Sequence, residues 1–491
     1  MSDPTQNQWK TLDRDLGRFG QIELATQFVA KPIVGIGIAL VFLIMAGLFA
    51  ALVFWQQPPF LIIVAAAIFG AYMALNIGAN DVANNMGPAV GANALTMGGA
   101  ILIAAVAESA GALLAGGDVV STISKGIIDP AGVAETEIFI WAMMAALISS
   151  AMWVNLATYV GAPVSTTHSV VGGVMGAGIA AAGFGAVNWA TMSKIAASWV
   201  ISPVLGGVVA ALFLAFIKVK IIYQEDKIAA ARRWVPVLIG IMAAAFASYL
   251  ALKGLKRIYK IDLGLALSIG AGIGLLLYFV SRPLINRQSQ GLENRNKSLK
   301  ILFNVPLIFS AALLSFAHGA NDVANAVGPL AAIVHALEFD GAATKVAIPL
   351  WVMIIGAFGI SFGLFLFGPK LIRMVGSQIT KLNAMRAYCV ALSAAITVIV
   401  ASWLGLPVSS THIAVGAVFG VGFYREYEVK RRSQKLAKLT QSGTLAPEER
   451  KRRKLVRRSH FMTIIAAWVI TVPAAALLSA VIFLVLNAIF V

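Results

Sequence analysis

Two copies of the heptapeptide Gly-Ala-Asn-Asp-Val-Ala-Asn, at 78–84 and 319–325, place carboxylate and amide groups inside strongly apolar segments. We call them the first and second aspartate motifs. Their polar side chains are Asn80, Asp81, Asn84, Asn321, Asp322 and Asn325. If the residues after each aspartate are helical, the carboxylate and an amide share one face, and such oxygens suit a small hard cation. The motifs therefore predict paired cation sites. The alternative is that these side chains cap and hydrogen-bond a break in the helix.

A second pair of motifs supplies hydroxyl groups. Pro-Val-Ser-Thr-Thr-His at 163–168 matches Pro-Val-Ser-Ser-Thr-His at 407–412, and we call these the first and second hydroxyl motifs. Each proline disfavours helix at the preceding residue, so Ser165 and Ser409 are predicted to cap helices that begin there. A helix N-terminus is an anion site. Further donors come from Thr166, Thr167, Ser410 and Thr411. Ordinary capping is the alternative for either copy alone.

Three further ionisable residues have less specific signals. His168 and His412 are predicted to orient the turns of the hydroxyl motifs, because no residue at a zinc-ligand spacing accompanies them. Glu108 lies in the middle of an apolar run and has no acidic counterpart in the second half. It is predicted either to bind a coupling ion or proton, or to hydrogen-bond between helices.

Composition identifies the medium in which these groups act. The chain has 491 residues, of which 59% are hydrophobic and 12% charged. These shares exclude a soluble globular enzyme and predict a polytopic helical protein in a lipid bilayer. The net charge of +17 fits basic cytoplasmic loops, so no nucleic-acid partner is expected. The single cysteine excludes an intramolecular disulfide, and no cofactor is predicted.

The apolar runs predict about thirteen membrane elements. They fall at 33–55, 60–95, 98–115, 136–160, 164–181, 189–218, 232–252, 258–281, 301–337, 345–367, 384–404, 408–424 and 461–489, with interruptions expected in the second and ninth. The segment 425–460 contains thirteen basic and four acidic residues and is predicted to be cytoplasmic. Counting membrane crossings from this segment places 1–32 in the cytoplasm and the C-terminus outside. The loop 253–260 is the only basic loop that this map places outside.

The paired motifs indicate an internal repeat. On the crossing map the first copy enters from outside and the second from inside, and inverted repeats with interrupted helices are typical of secondary transporters. The fold class predicted is therefore an all-α membrane protein with two inverted-topology repeats in 12–13 elements. Its predicted parts are a cytoplasmic segment 1–32, an extra helix 33–55, a first repeat 60–218, connecting helices 219–300 and a second repeat 301–491.

The two kinds of motif together resemble the inorganic phosphate transporter (PiT) family over roughly 60–490. The resemblance implies symport of inorganic phosphate with sodium or protons at the membrane midplane. It puts phosphate between the hydroxyl motifs, against Asp81, Ser165, Thr166, Thr167, Asp322, Ser409, Ser410 and Thr411. The amides and carboxylates of the aspartate motifs would hold the coupling sodium ions. The helix at 33–55 departs from the family pattern and is assigned no transport role.

Several alternatives stay open at the level of sequence. Protonation of Asp81 or Asp322 would serve a proton symporter as well as sodium would. Sulfate is the nearest rival substrate, because helix ends and hydroxyls do not by themselves distinguish tetrahedral anions. A passive anion channel is the rival from another class, although buried carboxylates argue against it. A bacterial inner membrane is the expected location, and a homodimer is one candidate assembly.

Overall fold

The apolar runs fold as helices in the computed structural model. It describes residues 34–55, 60–128, 133, 135–160, 164–254, 259, 261–339, 348–374, 382–440 and 458–491. Within these ranges, eleven helices are long and apolar enough to cross a membrane, so the chain is a multi-pass integral membrane protein. The predicted cytoplasmic segment 1–32 and residues 441–457 of the basic segment lie outside the described residues.

The helices follow the chain with short connections. They are α1 (Val34–Phe54), α2 (Phe60–Asn80), α3 (Val82–Gly91), α4 (Met97–Ala115), α5 (Gly117–Ser121), α6 (Thr136–Val160), α7 (Thr166–Ala182), α8 (Trp189–Ile217), α9 (Lys227–Tyr249), α10 (Leu263–Gln288), α11 (Asn296–Phe339), α12 (Leu350–Met374), α13 (Ala384–Trp403), α14 (Ser410–Thr440) and α15 (Arg458–Phe490). Single π-helical turns follow α5, α8 and α9, at Thr122–Gly126, Lys218–Ile222 and Leu250–Gly254. Many observed bounds lie within two residues of the apolar runs, whereas α10 and α12 are shifted toward the C-terminus and α14 continues to Thr440, well past the end of its apolar run at 424.

The predicted interruption of the second aspartate motif is wrong. Helix α11 is continuous over 44 residues and passes through both Asp322 and Pro329. In the first motif the interruption is one residue, Asp81, whose φ of −86° and ψ of −33° are still helical. The Asp81 side chain makes no capping hydrogen bond, so the capping alternative is wrong for Asp81. Its carboxylate bonds Thr166 and Thr411 on other helices instead.

Helix packing is reciprocal between the two parts of the chain. Helix α2 packs against α12, and α11, which carries the second aspartate motif, packs against α4. In the same way α7 packs against α15 while α14 packs against α8. Each helix thus packs against a helix of the other part, and the equivalent helices do the same in reverse. A two-fold relation between 60–218 and 301–491 would produce this pattern. The inversion of the repeats relative to the membrane stays a prediction.

Glycines line the seams between these helices. A Cβ atom built on Gly176 of α7 would lie 2.1 Å from the carbonyl oxygen of Ala476 in α15, and one on Gly420 of α14 would lie 1.9 Å from that of Gly207 in α8. Lipid provides no hydrophobic drive for helix association, so such close backbone contact is a main source of cohesion. The spacing of small residues in the hydroxyl-motif helices thus reflects direct helix contact.

The additional helix α1 lies along α12. The rings of Phe42 and Phe362 stack with centroids 5.1 Å apart, and those of Phe54 and Trp351 meet edge to face at 5.3 Å. Helix α1 also meets α2, where Gly47 lies against Ile68 and Val64.

We predict that Gly176→Ala lowers the thermal stability of the purified protein. The added methyl group cannot fit 2.1 Å from a backbone oxygen without moving α7 away from α15, and such overpacking costs about 1–3 kcal/mol. Gly272→Ala is the matched control, because nothing lies within 4 Å of its Cβ position in α10. It should leave stability unchanged or raise it slightly, since alanine favours helix. Equal melting temperatures for the two variants in detergent would show that the seam is not tightly packed.

Candidate functional site

The two hydroxyl motifs form capped helix starts, as predicted. Ser165 has an extended backbone conformation, and its hydroxyl accepts a hydrogen bond from the His168 amide at 3.1 Å. The Ser409 hydroxyl accepts from the His412 amide at 3.3 Å. Helices α7 and α14 therefore begin with oriented N–H groups inside the protein, where a helix N-terminus favours negative charge.

Asp81 lies between these two helix starts. Its side chain is buried, and each carboxylate oxygen accepts a hydrogen bond from a threonine. Thr166 of α7 donates to Oδ2 at 2.7 Å, and Thr411 of α14 donates to Oδ1 at 3.2 Å. Asp81 thus joins the first and second hydroxyl motifs.

Asp322 lies beside Asp81 but has different partners. Its Oδ2 lies 3.5 Å from the Thr166 hydroxyl and 3.2 Å from Nε2 of His318. Its Oδ1 has no hydrogen-bond partner within the described part of the chain. Ligand atoms of Asp81, His318 and Asp322 all lie within 4.8 Å of one another, a spacing at which one cation could contact all three.

The second asparagine of each aspartate motif crosses to the opposite half. Asn84 donates from Nδ2 to the Thr411 hydroxyl at 2.9 Å, and Asn325 donates to the Thr167 hydroxyl at 3.0 Å. The two bonds occupy equivalent positions in the repeat, and both bring amides to the hydroxyl motifs. The Asn325 Oδ1 atom has no hydrogen-bond partner in the described ranges, so it is available to a ligand.

The first asparagine of each motif points elsewhere. Asn80 donates to the Thr158 hydroxyl of α6 at 2.8 Å. Asn321 donates to the Ser402 hydroxyl at 3.0 Å, and its Oδ1 accepts from the backbone amide of Val408 at 3.1 Å. These amides fix the scaffold helices and the turn before α14. The structure does not bring them to the carboxylate pair, although the sequence groups them with it.

The predicted hydroxyls differ in how they are used. Thr167 donates to the carbonyl oxygen of Val408 at 3.0 Å, which links the two hydroxyl motifs directly. Ser410 is buried, and its Oγ has no hydrogen-bond partner in the described ranges. A buried hydroxyl without a partner is costly, so Ser410 is suited to meet a ligand.

A buried pair that the motif analysis did not assign to the site is Glu108 and His318. The His318 Nδ1 atom lies 2.6 Å from Oε2 of Glu108, and Asn85 of α3 donates to Oε1 at 3.0 Å. The signal available in the sequence is a difference between the motifs: histidine precedes the second glycine-alanine pair where the first copy has Ile77. Of the two predictions for Glu108, the hydrogen bond between helices is confirmed.

The histidines of the hydroxyl motifs meet each other. The rings of His168 and His412 lie 4.6 Å apart, and Trp199 of α8 packs 3.9 Å from His168. These ring contacts join the starts of α7 and α14.

The electrostatics of the interior are one-sided. Among the described residues, the buried ionisable side chains include three carboxylic acids and four histidines but no lysine or arginine. An anion at the helix starts would therefore lie near carboxylates without a lysine or arginine to neutralise it. Co-bound cations or protons are the groups that could make such binding favourable.

Comparison with known proteins identifies relatives over most of the chain. Residues 77–479 match the model of the phosphate transporter family. A Helicobacter pylori protein named "Putative phosphate permease" is 47% identical over 95% of this chain and 98% of its own length. A Pyrococcus abyssi protein with a similar name is 36% identical over 85% of this chain and 96% of its own. A solved structure titled "The sodium-dependent phosphate transporter" has a TM-score of 0.78 and 36% identity, and it covers 87% of this chain and 100% of that one.

We predict that Thr166→Val destabilises the protein more than Thr166→Ser does. Valine has the shape of threonine but leaves Oδ2 of Asp81 without its 2.7 Å donor, and an unsatisfied buried group costs about 1–3 kcal/mol. Serine retains the hydroxyl. Thermal unfolding in sodium-free detergent measures the difference. If the valine variant melts no lower than the serine variant, Thr166 does not stabilise the Asp81 carboxylate.

Proposed function

The chain belongs to the phosphate transporter family, and we propose that it moves inorganic phosphate across the membrane by symport with sodium. The observation that carries this proposal is the buried pair Asp81 and Asp322 beside two capped helix starts. The pair combines an anion site with cation ligands, and no lysine or arginine is among the buried described residues. Binding of one ion then depends on binding of the other.

The anion would lie against the N-termini of α7 and α14. The backbone amides of those first turns and the hydroxyls of Ser410 and Thr411 are donors suited to phosphate oxygens. Thr166 and Thr167 complete the hydroxyl set on the α7 side, and each would exchange its present acceptor, Asp81 or Val408, for a phosphate oxygen. Ser165 and Ser409 accept backbone hydrogen bonds as caps, which leaves their own hydroxyl hydrogens for the anion.

The cations would lie against the carboxylates. Oδ1 of Asp322 and Oδ1 of Asn325 have no hydrogen-bond partner in the described ranges, which supports an oxygen-lined cation site on α11. Asp81 and Asn84 offer the equivalent atoms on α2 and α3. Asn80 and Asn321 are assigned to the scaffold instead, because both already hold neighbouring helices. Hard oxygen ligands and the similarity to a sodium-dependent transporter favour sodium over protons.

Alternating access would come from movement of residues 60–218 relative to residues 301–491, whose helices pack reciprocally. Residues 60–218 and 301–491 are proposed to be the two inverted repeats, each of which contributes one hydroxyl motif and one aspartate motif. Hydrogen bonds that cross between them, such as Asn84 to Thr411 and Asn325 to Thr167, lie at the site itself. A ligand that replaces such bonds can therefore shift the balance between two arrangements.

The proposed orientation keeps the basic segment 425–460 in the cytoplasm. The loop 253–260 is the exception to the positive-inside pattern, and Lys253 forms an ion pair with Asp118 near the end of α4. This pairing neutralises part of the basic charge in that loop. It supports placing Lys253 and Asp118 on the same side of the membrane. We propose that this side is the outside, together with 116–137 and the C-terminus, and that the membrane is a bacterial inner membrane.

We predict that purified protein in liposomes accumulates radiolabelled phosphate when an inward sodium gradient is imposed. A proton gradient alone should not drive accumulation, and excess sulfate should compete less well than unlabelled phosphate. Accumulation driven by a proton gradient alone would show that protons, and not sodium ions, are the coupling ions. No accumulation under either gradient, in liposomes that contain folded protein, would favour sulfate transport or a channel.

We further predict that Asp81→Asn and Asp322→Asn each reduce phosphate uptake and sodium dependence together, by at least about tenfold, the lower end for loss of a group that supports metal binding. Both variants should stay folded, because removing a buried charge relieves its desolvation cost. Asp262→Asn is the matched control. Asp262 caps α10 through Gly264 and Leu265, and asparagine caps equally well. Wild-type sodium dependence in both site variants would defeat the cation assignment.

A further inference from the structure

The Glu108–His318 pair connects two helices from different halves of the protein. Glu108 lies on α4 and His318 on α11, and both side chains are fully buried. Backbone contact surrounds them: a Cβ on Gly319, the neighbour of His318, would lie 2.2 Å from the carbonyl oxygen of Glu108. The imidazole ring is thus held between rigid helices, with little room to rotate.

The same helix contact recurs in the other pair, α2 and α12, without polar side chains. A Cβ on Gly78 would lie 1.9 Å from the carbonyl oxygen of Ile360, which matches the contact of Gly319 with Glu108. Ile77 and Ile360 therefore occupy the positions equivalent to His318 and Glu108, and both isoleucines are fully buried. Two isoleucines satisfy the packing of this crossing, so packing alone does not explain a glutamate and a histidine.

The Glu108–His318 pair contacts only one of the two site aspartates, Asp322. Nε2 of His318 lies 3.2 Å from Oδ2 of Asp322, at ion-pair distance, and neither that Nε2 atom nor Oδ1 of Asp322 has a hydrogen-bond partner among the described residues. The Thr166 hydroxyl lies 2.7 Å from Oδ2 of Asp81 and 3.5 Å from Oδ2 of Asp322, and Asp81 has a second hydroxyl donor in Thr411. The two carboxylates therefore differ in their main contacts: Asp81 has hydroxyls from α7 and α14, whereas Asp322 has the ring that contacts Glu108 of α4.

We propose that Glu108 and His318 are positioning residues for Asp322: Glu108 fixes the imidazole, and the imidazole holds Oδ2 so that Oδ1 faces the coupling cation. The pair makes the two cation sites unequal. This inference rests on the proposed sodium symport and deepens it, because it names what sets the geometry of one of the two sites.

The test measures the sodium concentration that gives half-maximal phosphate uptake in proteoliposomes. His318→Asn keeps an amide near the position of Nδ1 and its contact with Glu108, but it leaves nothing beside Asp322. Loss of a group that orients a metal ligand typically weakens metal binding about tenfold or more. We expect a rise of about that size in the half-saturating sodium concentration, with little change in the maximal rate. His318→Gln places its amide near the position of Nε2 and should give a smaller rise.

The role of Glu108 is tested by combining a Glu108 substitution with a His318 substitution. Glu108→Gln should raise the half-saturating sodium concentration in the wild-type background and add nothing in the His318→Gln background, because Glu108 acts through the ring. Ile77→Val is the packing control at the position equivalent to His318. If a variant does not transport, the sodium dependence of its melting temperature, without phosphate, measures the same site.

The outcomes separate the two proposals. Failure of the wild-type protein to use a sodium gradient would overturn the proposed coupling. Sodium-driven uptake by the wild type, with His318→Asn no different from Ile77→Val, would overturn the positioning role alone. An additive effect of Glu108→Gln and His318→Gln would show that Glu108 does not act through His318.

Discussion

Two carboxylates buried side by side in an apolar helical bundle are the constraint on which the rest of the structure depends. An ionised group at membrane depth costs about 2.5–3.5 kcal/mol on insertion scales, and two like charges in contact cost more. The surroundings of Asp81 and Asp322 supply donors in compensation: two threonine hydroxyls, an imidazole and the starts of two helices. The helix starts lie near the carboxylates because the Ser165 and Ser409 caps begin α7 and α14 inside the protein.

The donors reach the carboxylates because the helices pack without intervening side chains. Threonine, serine and asparagine are short, so α7 and α14 must approach the aspartate motifs closely before Thr166 and Thr411 can touch Asp81. Glycines at the seams with α15 and α8 put α7 and α14 in backbone contact with those helices, since a single methyl group at Gly176 or Gly420 would collide with a carbonyl oxygen. These seams leave α7 and α14 no room to shift toward α15 and α8, which helps to fix the position of the hydroxyls.

Sequence predicts this molecule well where one residue type fixes the outcome. Helix bounds follow from apolar runs, and the Ser165 and Ser409 caps follow from the proline two positions earlier. Prediction fails where the partner is distant in the chain. The break expected at Asp322 is not present, since α11 is continuous there. Spacing groups Asn321 with the site, but it gives no sign of the bonds that its amide makes with Ser402 and Val408. Glu108 and His318 are 210 residues apart, so only the fold brings them together.

The two aspartates have different contacts, and this difference affects which helices of such a carrier can move. Both donors to Asp81 come from the hydroxyl motifs of opposite halves, Thr166 from α7 and Thr411 from α14, so separating those helices breaks one of the two bonds. Hydrogen bonds to charged groups contribute about 1.5–3 kcal/mol each. Moving a two-state equilibrium from one side to the other requires about 5.5 kcal/mol of differential binding. An ion that competes with one threonine for Asp81 therefore supplies part of the free energy needed to switch the arrangement, and contacts elsewhere must supply the rest. Asp322 is held by a ring fixed between α4 and α11, so it can keep its geometry while α7 and α14 move.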